Sequence, residues 1–163
     1  MSNNIKVVYN INEYPKIVSD IPVKIKKLNE QAVVPKYASE SAAGVDLHST
    51  SSMTIEPGTC KLIPTGLAMA IPNGWFGAIH PRSGLAVKRG LRLANGCGII
   101  DADYRGEVLV ALYNDNQEPQ SLEVGERIAQ MIIMPCPRVN YIEVDELDET
   151  ERGSGGFGST GTN

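Results

Sequence analysis

Leu67-Ala68-Met69-Ala70-Ile71-Pro72-Asn73-Gly74 puts a large apolar side chain at every second position, then stops on three turn-forming residues. A period of two places Leu67, Met69 and Ile71 on one face, the pattern of a half-buried strand. Pro72-Asn73-Gly74 brings a fixed φ and a glycine, which suit a tight reversal. The same signature recurs in both directions along the chain. Ile21, Val23 and Ile25 alternate with Pro22, Lys24 and Lys26, and Val108, Val110 and Leu112 repeat the pattern. Met131 to Met134 is a continuous apolar run, which predicts a strand buried on both faces. Glu56-Pro57-Gly58, Asn95-Gly96 and Asn114-Asp115-Asn116 mark further turns. Sixteen glycines and ten prolines in 163 residues interrupt the chain too often for long helices. One short helix is expected, over Ser83 to Lys88. The reading is an all-β barrel or jelly-roll-like sandwich.

The length suits a single domain. Hydrophobic residues make up 42% and charged residues 21%, as in an ordinary globular protein. No apolar run approaches the ~18 residues that span a bilayer, so no membrane partner is expected. The polar start Met1-Ser2-Asn3-Asn4 lacks the basic and apolar regions of a signal peptide, which predicts a cytoplasmic protein. Cys60, Cys97 and Cys136 are odd in number and far apart, against a disulfide framework or a paired-cysteine zinc site. With only His48 and His80 besides, any metal is expected to be a hard cation held by oxygen. A net charge of −4 without a basic face argues against polymeric nucleic acid as partner. It leaves room for a small anion met by a few converging arginines.

Five segments carry chemistry. In Ala43-Gly44-Val45-Asp46-Leu47, the Asp46 carboxylate either faces a metal-bound water or caps local backbone donors. In His80-Pro81-Arg82-Ser83-Gly84-Leu85, Arg82 offers a planar fork for phosphate oxygens and Ser83 a hydroxyl. Ser83 also reads as a plain helix cap, and His80 as structural. The stretch from Asn95 to Gly106 is the densest. Asn95 has a donor and an acceptor suited to a base edge. Gly96 and Gly98 permit close backbone approach. Asp101, within reach of a water, could act as general base. A tight hairpin with Asp and Gly as turn formers is the plainer reading. Arg127-Ile128-Ala129-Gln130-Met131 offers Gln130 to a phosphate, and leaves Arg127 open between a phosphate and a structural ion pair. After the acidic Asp145-Glu146-Leu147-Asp148-Glu149, five of the eleven residues 153–163 are glycine. Such a tail builds no core of its own, yet it carries Arg152 and the ring of Phe157.

Together these segments, in this order and spacing, resemble the five motifs of the homotrimeric deoxyuridine triphosphatase (dUTPase) family. They are Ala43 to Leu47, Pro81 to Leu85, Gly98 to Gly106, Arg127 to Met131 and Arg152 to Gly161. The resemblance runs from about Ile25 to the C-terminus. It implies a jelly-roll-like (β-clip) subunit with one short helix, a homotrimer with each active site built from three chains, and Mg²⁺-dependent hydrolysis of dUTP to dUMP and pyrophosphate. It divides the chain into an N-terminal extension of unassigned role (1–20), a β domain (21–147) and a flexible glycine-rich tail (148–163). Sixteen flexible residues span ~20–24 Å, against a radius of gyration of ~15 Å for such a domain. The tail can therefore close over a neighbouring subunit's site.

The resemblance also implies roles. Asp101 is expected to activate the water that attacks the α-phosphorus, and Tyr104 to pack under the sugar where a 2′-OH would stand. Asn95 and the backbone of Gly98, Ile99 and Ile100 form the hairpin that reads uracil. Arg82, Ser83, Gly84, Gln130 and Arg152 contact phosphates. Phe157, followed by Gly158, stacks on the base, and Asp46 is linked to Mg²⁺ through a water. Two rivals stand beside this reading. One is dCTP deaminase, which shares the fold. The other is a nucleotide-gated regulatory binding protein, with residues 1–20 as its natural partner surface.

Overall fold

The structure, a computed structural model, describes residues 21–156. Two four-stranded antiparallel sheets and a two-stranded ribbon enclose the core. The first sheet runs β1 (Lys24–Lys27), β4 (Cys60–Ala70), β8 (Glu107–Asn114), β6 (Leu91–Leu93). The second runs β2 (Val45–His48), β10 (Arg127–Pro135), β5 (Trp75–His80), β7 (Gly98–Ile100). The ribbon pairs β3 (Met53–Ile55) with β9 (Gln120–Leu122). Each four-stranded sheet joins strands distant in sequence, as the jelly-roll expectation requires. One helix, α1 (Ser83–Arg89), follows β5, one residue longer than expected. Among the described residues no helix is long and apolar enough to cross a membrane.

The period-two pattern places the core as expected. Val108, Val110 and Leu112 of β8 are buried, as are Leu67, Met69 and Ile71 around β4. Leu47, Ile55, Leu91, Leu122 and Ile128 complete a layer between the sheets. Each such side chain contributes about 1.5–3 kcal/mol by leaving water. Val23 and Ile25 pack against this core while Lys24 and Lys26 stay exposed. Where the β4–β8 register slips between Pro64 and Ala68, side chains satisfy the loosened backbone. The Thr65 hydroxyl donates to Val108 O at 2.6 Å, and Gly66 N donates to Glu107 Oε1 at 2.7 Å. Asn114, fully buried at the end of β8, holds the loop beyond it. Its Nδ2 donates to Ile55 O and Glu118 O, both at 2.9 Å, and its Oδ1 accepts from Asn116 N at 2.9 Å.

Two expectations fail. Met131 to Met134 is not buried on both faces: Met131 is buried, Ile132 and Ile133 are half-buried, and Met134 is 40% exposed. Strand β10 outruns β2, whose pairing ends at Met131↔Val45, and beyond that point only β5 accompanies it. The Asn95–Gly96 turn is not a hairpin between paired strands either. β6 pairs with β8 and β7 with β5, so the turn carries the chain from one sheet to the other. It is braced by Ala94 N donating to Ala111 O at 2.9 Å and Cys97 N donating to Asn95 O at 2.7 Å.

Candidate functional site

Strand register brings Asp46, Gln130 and His80 side by side across β2, β10 and β5. Just past His80 the chain turns at Pro81 into α1, so Arg82 lies beside the same row. Its Nε donates to Asp46 Oδ1 at 2.8 Å, while Arg127 Nη1 reaches Asp46 Oδ2 at 3.3 Å. Arg127 thus forms an ion pair with Asp46, one of the two uses open to it. Gln130 Nε2 donates to Pro81 O at 3.1 Å, tying β10 to the start of the helix. Asp46 thus gathers two guanidinium groups into a half-exposed cluster.

The local structure of α1 does not bear out the cap reading of Ser83. The cap position is Arg82, in extended conformation and without a side-chain cap bond; Ser83 is the first helical residue and exposed. Leu85 N and Ala86 N both donate to Arg82 O at 3.1 Å. Among the described residues the N–H groups of Ser83 and Gly84, the Ser83 hydroxyl and the terminal nitrogens of Arg82 have no protein partner. These are donors available to an anion, since helix starts leave such groups unpaired.

A second group lies on the segment after β6. Asn95 is exposed, and its side chain has no protein partner among the described residues. Gly98 is buried, and a Cβ there would stand 3.1 Å from Ile79 Cβ. Its missing side chain therefore serves packing within the fold. Ile99 is exposed and Ile100 buried. Asp101 is exposed, its carbonyl accepting from Tyr104 N at 3.2 Å. The Tyr104 hydroxyl donates to Glu107 O at 2.9 Å, which folds the ring back over Gly106. A Cβ at position 106 would stand 2.6 Å from Tyr104 Cζ, so only glycine leaves the ring this seat. Asp101 and Tyr104 line a pocket of about 220 Å³ with Ile99, Ile100, Glu107 and Leu109. A cavity of about 550 Å³ on the side of Trp75 and Phe76 also touches Asp101. It includes none of the other candidates, so the smaller pocket is the one the chemistry favours.

The two groups stand apart within one chain. Ile100 pairs with Gly77, so Asp101 lies level with the Phe76 end of β5, whereas Asp46 and Gln130 lie level with His80. Four residues along the strands and three strands across separate Asp101 from Asp46 by roughly 20 Å at standard spacings. The tail is a third piece. Arg152 Nε donates to Gly155 O at 2.8 Å within its own turn, and residues 136–154 are exposed throughout. Phe157 and Gly158 lie outside the described residues.

His48 was not singled out as a functional residue, yet it shares the face of Asp46, and its Nδ1 is buried without a partner. Burial lowers its pKa; Asp46 works against that shift, while Arg127 and Arg82 add to it. Gly106 and the Arg127–Asp46 contact were missed as well. Only the proximity of Gly106 to Tyr104 in the sequence hinted at the former. Among the described residues no three histidine, cysteine or carboxylate groups converge to hold a metal.

A family model described as dUTPase matches residues 30–161. The chain is 52% identical over 139 residues to the deoxyuridine 5'-triphosphate nucleotidohydrolase of Nautilia profundicola, covering 85% of this chain and 98% of that protein. It is 53% identical over 142 residues to the enzyme of the same name from Rickettsia felis, covering 85% and 96%. Among solved structures, the dUTPase of Staphylococcus bacteriophage 80alpha with dUPNHPP superposes with a TM-score of 0.79 at 30% identity, covering 86% of this chain and 99% of that one.

Proposed function

The chain belongs to the dUTPase family and hydrolyses dUTP to dUMP and pyrophosphate, and on that premise we propose which of its residues do the work and how copies of the chain share it. The observation that carries the assignment is the placement of the candidates at opposite ends of one sheet, with Asp101 roughly 20 Å from Asp46 at standard spacings. A general base must come within hydrogen-bond reach of its water. Asp101 leaves the sheet on the Phe76 side, whereas Arg82 and Gln130 are gathered with Asp46 on the His80 side, so we assign the base and the phosphate cluster of one site to different copies of the chain. A homotrimer provides those copies. One subunit supplies Asn95, Gly98, Ile99, Ile100, Asp101 and Tyr104. Its neighbour supplies the cluster around α1, and the third lends the tail (148–163) with Arg152, Phe157 and Gly158. Interfaces of this head-to-tail kind close into a ring under cyclic symmetry.

Within such a site Asn95 and the backbone of β7 read the uracil edge. A pocket that hydrogen-bonds one base leaves its own polar groups unpaired with another, which is a large penalty. Tyr104 supports the deoxyribose and excludes a 2′-OH. Asp101 takes a proton from a water as its oxygen bonds to the α-phosphorus. The bond from that phosphorus to the bridging oxygen breaks, and pyrophosphate leaves. Arg82, the N–H groups of Ser83 and Gly84, the Ser83 hydroxyl and Gln130 hold the phosphates in line. Phosphoryl transfer needs mainly such positioning and charge neutralisation.

Mg²⁺ fits the donor set present here. Asp46 is the one carboxylate of the phosphate-binding cluster, and among the described residues no three potential ligands converge; a dication that keeps several waters and binds chiefly through substrate phosphates suits that arrangement. When bound it would neutralise phosphate charge, with Asp46 linked to it through water. Asp46 otherwise holds Arg82 and Arg127 together. The tail closes over the bound nucleotide, Phe157 stacking on uracil.

Incubation of the protein with dUTP, dCTP, dTTP and UTP in Mg²⁺ tests this reading. The expected products are dUMP and pyrophosphate from dUTP alone. Deamination of dCTP would move the site to the sister reaction, and absence of any turnover would favour a nucleotide-gated binding role.

A further inference from the structure

The far end of α1 is held as firmly as its start. The helix has seven residues, and of these only Leu85 is buried. So short a helix has little stability of its own and depends on tertiary contacts. Arg89 supplies them. Its Nε donates to Gln120 Oε1 at 3.1 Å, its Nη1 to Glu126 Oε1 at 2.5 Å, and its Nη2 to Ser121 O. Its own carbonyl accepts from Asn116 Nδ2, and Gly90 O accepts from Asp115 N at 2.9 Å. Strand β9 and the two loops that flank it therefore converge on the end of the helix.

Glu126 precedes Arg127 in the chain. Arg127 meets Asp46, Asp46 meets Arg82, and Arg82 opens α1. These contacts close a ring: Arg82, Asp46, Arg127, Glu126, Arg89, and back through the two turns of the helix. The ring connects Arg89 to Arg82 by two routes, along the helix and through the start of β10. The Arg89–Glu126 pair is about three-quarters buried on both sides, so water screens it less than a surface pair.

We propose that Arg89, anchored on Glu126, is a positioning residue for triphosphate binding: it sets where α1 presents Arg82, Ser83 and Gly84, without touching the nucleotide. The inference rests on the phosphate role of α1 given above. It differs from a purely structural role in what it affects. A loosened α1 should weaken contacts to phosphates and spare those to uracil and deoxyribose, which come from the segment 95–104.

The test compares binding of the triphosphate analogue dUPNHPP with binding of deoxyuridine, which has no phosphate. The isosteric Glu126→Gln, which weakens one charge-assisted bond, should weaken dUPNHPP about tenfold, and Arg89→Met, which removes three bonds, at least as much. Deoxyuridine binding should stay within about twofold, well under one such bond. KM for dUTP should rise more than kcat falls, and Arg89→Lys should recover part of the loss. Equal weakening of both ligands, or of neither, by both variants would overturn the proposal. Arg82→Met is the control: if it too spares dUPNHPP, the phosphate reading of α1 fails and takes this inference with it. If Arg82→Met weakens dUPNHPP and the Arg89 and Glu126 variants do not, only the positioning role is lost.

Discussion

Replacing Gly106 by alanine tests the sugar-selecting role of Tyr104 without touching Tyr104 itself. An added Cβ would lie 2.6 Å from Tyr104 Cζ and 3.0 Å from Cε2. Carbon atoms in contact sit about 3.5–4.0 Å apart, so the ring must retreat by about 1 Å. Gly106 does not occupy the left-handed region, so alanine strains no backbone there. The ring is 42% exposed and has room to swing outward. The stability cost is then close to that of the Tyr104–Glu107 hydrogen bond, about 0.5–1.5 kcal/mol. For a chain of this size that lowers Tm by only a few degrees, at ~2–4 °C per kcal/mol. Selectivity should suffer more. Room for a single heavy atom in a pocket is worth ~1–3 kcal/mol of discrimination, and each 1.4 kcal/mol is about tenfold in rate. The ratio of kcat/KM for dUTP over UTP should therefore fall by about tenfold or more, measured by pyrophosphate release with both nucleotides. Thermal melting of the same samples controls for unfolding. A dUTP/UTP ratio equal to that of the unmodified protein, in a folded variant, would refute the account of Tyr104 and its seat.

Three further outcomes are expected. Asp101→Asn should bind dUPNHPP normally and lose most turnover, since it keeps the shape of the side chain and removes the base; undiminished turnover takes Asp101 out of that role. Deleting residues 152–163 should leave Tm and oligomeric state unchanged, because the tail's described residues, 152–156, lie outside the core, while kcat/KM falls steeply; normal catalysis would show that the tail is no lid. Asn114→Ala should destabilise the fold by roughly 2–4 kcal/mol, from three lost hydrogen bonds and two carbonyls left without their partner. Chemical denaturation reads that loss directly, and a change below about 0.5 kcal/mol, the level of an ordinary surface substitution, would mean that water replaces those bonds.

The sequence by itself was enough for the fold class and the type of chemistry. Alternation at Leu67, Met69 and Ile71 and at Val108, Val110 and Leu112 is a local signal, because a strand's faces follow from its own residues. The helix at Ser83 was legible for the same reason. The five segments, being contiguous in sequence, could be matched in order without any coordinates. What contact alone decides was not legible. Whether Met131 to Met134 is covered depends on how far β2 runs beside β10, a matter of two strands about eighty residues apart. The Asn95–Gly96 turn looks like a hairpin by composition, yet its flanking strands each found a better partner in a different sheet. Asp46 and Arg127 meet across 81 residues, and Arg89 meets Glu126 across 37; no local pattern announces either pair. The separation of Asp101 from Asp46 and Gln130 is likewise a product of register. Local chemistry is written in neighbours along the chain, whereas the geometry that combines it depends on long-range pairing.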